Sequence, residues 1–196
     1  ENQKVVKEVL EIWTKLMNPI TPHLSEEIND SKELVSASWW PKVDENRISK
    51  KAEAGEELVK SAMEGMRNVL SLAKMQKPTK FTLFAAEEWR YELFTIVAKE
   101  IRVTRNTGEI MKRVLAEEEM KMKGKEISNM VISLVKDVTK IPSLVTSQGD
   151  EMAVLLEAKK FLEKEFECKV TVVRAEESQH PKAQSAWPGK VGILVE

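Results

Sequence analysis

Cysteine occurs once in this chain of 196 residues, tyrosine once and histidine twice. A lone Cys168 excludes an internal disulfide and fits a reducing, cytoplasmic setting. With His23 and His180 it cannot make a four-ligand zinc site unless carboxylates join, and no spacing singles such carboxylates out. The seven glycines form no phosphate-cradling loop. No apolar run approaches the roughly 18 to 20 residues a membrane span needs, and no secretion-signal pattern opens the chain. Net charge is also lacking: 31 basic and 32 acidic residues leave −1, so any nucleic-acid contact must come from local patches.

What is present is a globular composition, 42% hydrophobic, sufficient for one ordinary domain or two small ones. The chain opens at Glu1 inside a helical pattern without a methionine, and we expect it to be part of a longer protein. Val5, Val6, Val9, Leu10, Trp13, Leu16 and Met17 recur at three- and four-residue spacing, which predicts a helix packed through one apolar stripe. Pro19 stops it. Pro22 fits the first position of a second helix, to about Asp30, with Thr21 as its cap and Glu26 and Glu27 near its positive end. Trp39 and Trp40 are expected to cover one end of the helical region, the alternative being base stacking on the surface.

A long helix is predicted from about Asn46 to Met75, with Leu58, Val59, Ala62, Met63, Met66, Val69, Leu70 and Ala73 on its core side and Lys50, Lys51, Lys60, Arg67 and Lys74 elsewhere, on a solvated face or, alternatively, one turned to RNA. Gln76-Lys77-Pro78-Thr79 ends that pattern and is the expected domain boundary. Beyond it, Phe81–Ala85 reads as a strand, and Glu87-Glu88 start a helix carrying Trp89, Leu93, Ile96, Val97 and Ile101. Short and longer helical stripes follow around Ile110–Leu115 and Ile127–Val138. Asp150 is the expected cap of a last long helix burying Val154, Leu155, Ala158, Phe161 and Leu162. Val170–Val173 and Val191–Val195 have the β-branched alternation of strands, separated by a long exposed connection. The expected fold is therefore mostly helical: an α-helical bundle over 1–77, then a small α/β (α+β) domain with a short mixed sheet over 78–196.

Pro19-Ile20-Thr21-Pro22-His23-Leu24-Ser25-Glu26-Glu27 resembles the Pro-x-x-Pro-His-hydrophobic-x-Glu-Glu segment in the anticodon-binding bundle of class I aminoacyl-tRNA synthetases. It departs from that pattern after Ile28, where Asn29-Asp30 replace a hydrophobic residue and tryptophan. Phe84-Ala85-Ala86-Glu87-Glu88-Trp89-Arg90-Tyr91, Gly124-Lys125-Glu126-Ile127, Glu157 to Lys164 and Lys182 to Glu196 are similar, in order, to the carboxyl-terminal region of archaeal and eukaryotic-type leucyl-tRNA synthetases. The resemblance implies a fragment that binds tRNA(Leu) through its long variable arm and positions it for ATP-dependent aminoacylation elsewhere on a parent ligase. The fragment itself would hold no cofactor, ATP and Mg²⁺ belonging to the parent. Its partners would be tRNA(Leu) and the parent's catalytic and editing domains, with no membrane.

No His-x-Gly-His or Lys-Met-Ser-Lys-Ser element of class I catalysis is present, so the fragment alone should be inactive. Val195 and Glu196 are carried over by the resemblance as contacts at the arm's tip, where backbone groups and a carboxylate can meet unpaired bases. The alternative is that they complete a sheet and fray. Lys182 and Lys190 flank the exposed connection and are candidate phosphate contacts, as are Lys121, Lys123 and Lys125, the densest basic run. Ordinary surface lysines and a solvated turn are the competing readings. Other carboxylates read as solvated helical pairs. Two competing functions stay open: a helical protein-docking module, and the same region of a valyl or isoleucyl enzyme.

Overall fold

The computed structural model describes residues 3–75 and 77–196, so the expectations attached to Glu1 and Gln76 lie outside the described residues. The chain divides after Ile48 into two compact units. In the first, α1 (Gln3–Met17) and α2 (Pro22–Ile28) precede single 3₁₀ turns at Val35–Ala37 and Glu45–Arg47. Pro22 does sit at the start of α2, but Thr21 does not cap it; its hydroxyl donates back to the Met17 carbonyl at 3.3 Å. Glu26 has a different task from the one expected. Its carboxylate accepts the amides of Val35 at 2.9 Å and Ser36 at 3.2 Å, tying the following loop to α2. The Val35 amide is the main reason its carboxyl lies below the usual range. Arg47 pairs with Glu8 to bring the end of the unit back to α1.

This unit buries almost nothing. Among its described residues Ser25 and Val35 are the buried ones, and none of α1 is buried. The periodicity of α1 is as read, but its stripe, with Trp13 63% exposed, has no cover within the unit. Trp39 (90% exposed) and Trp40 likewise do not cover an end of it.

The second unit begins with α3 (Lys50–Ala73), capped by the Ser49 hydroxyl on the Ala52 amide and closed by Lys74 in the left-handed region, φ 51°. Then follow β1 (Lys80–Ala85), α4 (Glu88–Ile101), α5 (Thr107–Val114), α6 (Glu118–Lys121), α7 (Gly124–Lys136), α8 (Gln148–Phe166), β2 (Lys169–Arg174), α9 (Pro181–Gln184) and β3 (Gly192–Val195). The long helix read as the end of the first region thus lends its buried side to the second unit. Its Leu58, Ala62 and Met66 recur every four residues, one helical face, and meet Leu155 and Leu162 of α8 on one face of the sheet.

The strand order is β2-β1-β3. β1 runs parallel to β2, with Leu83 opposite Val172, and antiparallel to β3, with Leu83 opposite Ile193. Phe81, Leu83, Val170 and Ile193 point to α3 and α8; Phe84 packs on the opposite face with Tyr91, Ala175, Ala183 and Ala186. A third core lies among the helices: Leu93, Phe94 and Val97 of α4 against Ile110, Val114, Ile127, Val131 and Leu134. Phe161 is 52% exposed instead of buried, and Ser147, not Asp150, caps α8. Asp150 instead pairs with Lys51 at 2.7 Å. The connection from β2 to β3 is more than an exposed loop, since Ala183, Ala186 and Pro188 are buried along it.

Buried polar groups join these layers. Tyr91 Oη donates to Glu151 at 2.7 Å, and the Gly189 amide donates to the same carboxylate at 2.7 Å. Gly189 has φ +77°, and a Cβ there would lie 3.0 Å from Pro142. Burial pushes the Glu151 carboxyl above its ordinary range, outweighing those two hydrogen bonds. An acid whose pKa is raised by folding destabilises the fold once ionised, so stability is lost as pH rises from the unfolded carboxylate range through the raised value. The melting temperature of Glu151→Gln relative to the parent protein should therefore shift in the variant's favour between about pH 4 and about pH 8. A gap independent of pH would contradict this.

Two glycines set close approaches. A Cβ on Gly192 would stand 2.2 Å from the Lys182 carbonyl oxygen, whereas one on Gly65 would meet only the end of the Ile193 side chain. Gly192→Ala should destabilise the unit by about 1–3 kcal/mol, since backbone must move. Gly65→Ala should cost less, because helix propensity offsets repacking by about 0.5–1 kcal/mol. Denaturant midpoints of the two variants check the order.

Candidate nucleic-acid interface

The basic run Lys121–Lys125 lies at the junction of α6 and α7. Its three lysines are not equivalent. Lys121 and Lys125 are exposed, while Lys123 is half-buried and committed. Its ammonium donates to Glu87 at 2.8 Å and sits 4.6 Å from the centre of the Trp89 ring. Glu87 also accepts from Trp89 Nε1 at 2.6 Å. Burial pushes the Glu87 carboxyl up, but the hydrogen bonds from Lys123 and Trp89 and the nearby charges of Lys123 and Arg90 outweigh it, leaving the group below its usual range. A phosphate contact from Lys123 would have to share an ammonium already held by Glu87. The spacing of the run could not reveal it, because Glu87 and Trp89 lie far back in the sequence.

Lys182 and Lys190 are both exposed. Lys182 lies in α9, whose amide end is capped by His180 Nδ1 at 3.1 Å. Lys190 closes a tight turn, exchanging 2.8 Å backbone hydrogen bonds with Trp187 in both directions. The Trp187 ring stands edge-on to Phe94, centroids 5.7 Å apart. This segment therefore rests on the helical core.

Glu196 does not fray. Its amide donates to the Lys80 carbonyl at 2.9 Å, and its carbonyl accepts from the amides of Thr79 and Lys80 and, at 2.6 Å, from the Thr79 hydroxyl. Its carboxylate lies 3.6 Å from Lys80 Nζ and stays half exposed. Because Lys80 and Glu196 exchange both hydrogen bonds, antiparallel alternation turns the amide and carbonyl of Val195 away from β1, toward the outer edge of the sheet. The Val195 side chain packs on the core shared with α3 and α8. Val195 thus combines an anchored side chain with outward backbone groups.

One residue that sequence reasoning passed over is Arg90, 2% exposed. Its Nη1 donates to the carbonyls of Gln184 and Ala186, both at 2.6 Å, and its Nη2 to Glu126 at 2.6 Å. An arginine amid an apolar helical stripe was the available signal. Glu100 and Glu151, both buried, also depart from the expectation that the carboxylates are solvated. Glu100 pairs with Arg113 at 2.5 Å.

Among the described residues no group of three or more His, Cys, Asp or Glu could hold a metal ion, and no helix is long and apolar enough to cross a membrane.

Comparison with known proteins bears on the family. The sequence model of the anticodon-binding domain of tRNA ligases matches residues 1–141. A leucine–tRNA ligase of Methanococcus maripaludis is 37% identical over 199 residues, taking in 100% of this chain and 20% of that protein. One of Methanocaldococcus jannaschii is 34% identical over 198 residues, 100% of this chain and 20% of that protein, and one of Pyrococcus furiosus 31% over 195 residues, 98% and 19%. The chain thus spans about a fifth of the length of these relatives, matching their carboxyl-terminal region. A helical chain with a small mixed sheet, matched over residues 1–141 by that model and over its whole length by archaeal leucine–tRNA ligases, belongs to the anticodon-binding domain family of tRNA ligases.

Proposed function

We propose that this chain is the carboxyl-terminal tRNA-binding region of a leucine–tRNA ligase, gripping tRNA(Leu) by its long variable arm and positioning it for aminoacylation elsewhere on a parent chain. The observation that carries the reading is the end of β3. Val195 turns its amide and carbonyl to the open sheet edge beside the half-exposed carboxylate of Glu196. Together they offer donor and acceptor groups to unpaired bases, the elements of RNA that protein backbones can read. Exposed Lys121, Lys125, Lys182 and Lys190 would meet phosphates, which fix register without reading sequence. Lys123 would act indirectly by holding the turn.

The contribution to catalysis is positional. Binding energy from a remote part of the tRNA orients the acceptor end in an active site that this region does not contain. ATP and Mg²⁺ would act there, in the cytoplasm, where the other translation components work. The uncovered apolar stripe of α1 favours docking to protein as well, the natural cover being further helices of the parent's own bundle.

Gel-shift titration with tRNA(Leu) transcripts separates these roles. Shortening the variable arm should weaken binding at least about tenfold, and the salt slope should correspond to several phosphates at roughly 0.7–0.9 each. Equal affinity for a tRNA without a long arm sinks the reading, and a flat salt dependence supports protein docking instead. In the full-length ligase, removal of Val195 and Glu196 should lower aminoacylation while leaving leucine activation intact. Unchanged aminoacylation would show that the sheet edge is not a contact.

A further inference from the structure

Arg90 holds together parts of the molecule that are remote in sequence. Through Nη1 it binds the main chain between Lys182 and Lys190; through Nη2 it binds Glu126, the neighbour of Lys125. Its Nη2 also lies 3.8 Å from Glu87, the partner of Lys123. Its guanidinium carbon lies 5.2 Å from the centre of the Trp89 ring, on which Lys123 also rests. The same guanidinium therefore sits between both basic segments of the surface.

A purely stabilising role explains this poorly. Among the described residues Arg90 Nε is buried without a hydrogen-bond partner, and an unpaired buried donor costs about 1–3 kcal/mol. An apolar side chain of similar volume commonly stabilises a core as well as a buried ion pair does. What such a side chain cannot supply is a planar fork that fixes two carbonyls and a carboxylate at once.

We propose that Arg90 is a positioning residue that locks the Lys121–Lys125 turn and the Lys182–Lys190 segment into one register, so that both meet the phosphates of a single tRNA together. This rests on the reading of the chain as a tRNA-binding region and adds the element that makes its two lysine sets act jointly. Linked contacts reinforce one another only when their geometry permits simultaneous engagement. Loosening the link removes one set's contribution without removing any lysine.

The test compares Arg90→Gln, the milder Arg90→Lys and Glu126→Ala, and the core variant Leu93→Ala, all in the full-length protein. Affinity for a tRNA(Leu) transcript is measured against salt, and amide hydrogen exchange is followed in residues 121–128 and 182–190. Arg90→Gln should lower affinity about tenfold, flatten the salt slope and speed exchange in both segments. Arg90→Lys should fall between it and the parent protein. Glu126→Ala, altering an exposed carboxylate, should loosen residues 121–128 alone and flatten the slope less. Leu93→Ala, which destabilises the same unit, should leave the slope unchanged. An equal slope change in Leu93→Ala, or accelerated exchange in neither segment of Arg90→Gln, overturns the inference. Replacing Lys121, Lys125, Lys182 and Lys190 together by Ala tests the underlying reading. If that variant binds tRNA as tightly as the parent protein, the lysine contacts of the underlying reading fail, and the role of Arg90 with them; if it binds weakly while Arg90→Gln does not, only the role of Arg90 fails.

Discussion

The second unit depends on β1 being buried on both faces. A strand that buries Phe81 and Leu83 on one side and Phe84 on the other cannot stand at the edge of a sheet or against a single layer. It needs a hydrogen-bonded neighbour on each side, which β2 and β3 supply, and a cover on each face. Helices α3 and α8 form one cover; Tyr91 and the Ala175–Ala186 segment form the other.

Polar groups then link the layers that apolar burial brings together. Hydrophobic contact is nondirectional, so it leaves the register of the β2–β3 connection undetermined. Arg90 and Glu151 determine it: the first grips the Gln184 and Ala186 carbonyls, the second the Gly189 amide. Each ionisable side chain is buried and each satisfies main-chain groups of one connection. The cost of burying them is offset by a defined path for that connection.

Much of this fold was legible in the sequence because its signals are local. The stripe of α7, the three strands and the proline entering α2 follow from periodicity and from proline's missing amide. Signals that depend on distant partners were not legible. Trp39 and Trp40 were expected to pack, since large indoles usually do, yet both stay largely exposed among the described residues. Asp150 has the chemistry of a cap, but Ser147 stands three residues earlier and takes the role, leaving Asp150 to Lys51. Lys123 is indistinguishable from Lys121 and Lys125 until Glu87 and Trp89 are brought beside it. The assignment of α3 to the second unit likewise depends on Leu155 and Leu162, far along the chain. Of the candidate site, the residue types were readable, but which were exposed and which already paired was not.

The order of the strands has a consequence in time. β1 waits for β2 across residues 86–168 and for β3 until Gly192–Val195. Such nonlocal pairings make folding slow, because chain-closure entropy is lost before the contacts form. The core of α4 to α7 is made from nearer segments and can assemble earlier. As the chain leaves the ribosome, a helical subregion would therefore be in place while β1, with Phe81 and Leu83 on one face and Phe84 on the other, still lacked its neighbours. Until Gly192–Val195 pair with it, that strand is most exposed to aggregation.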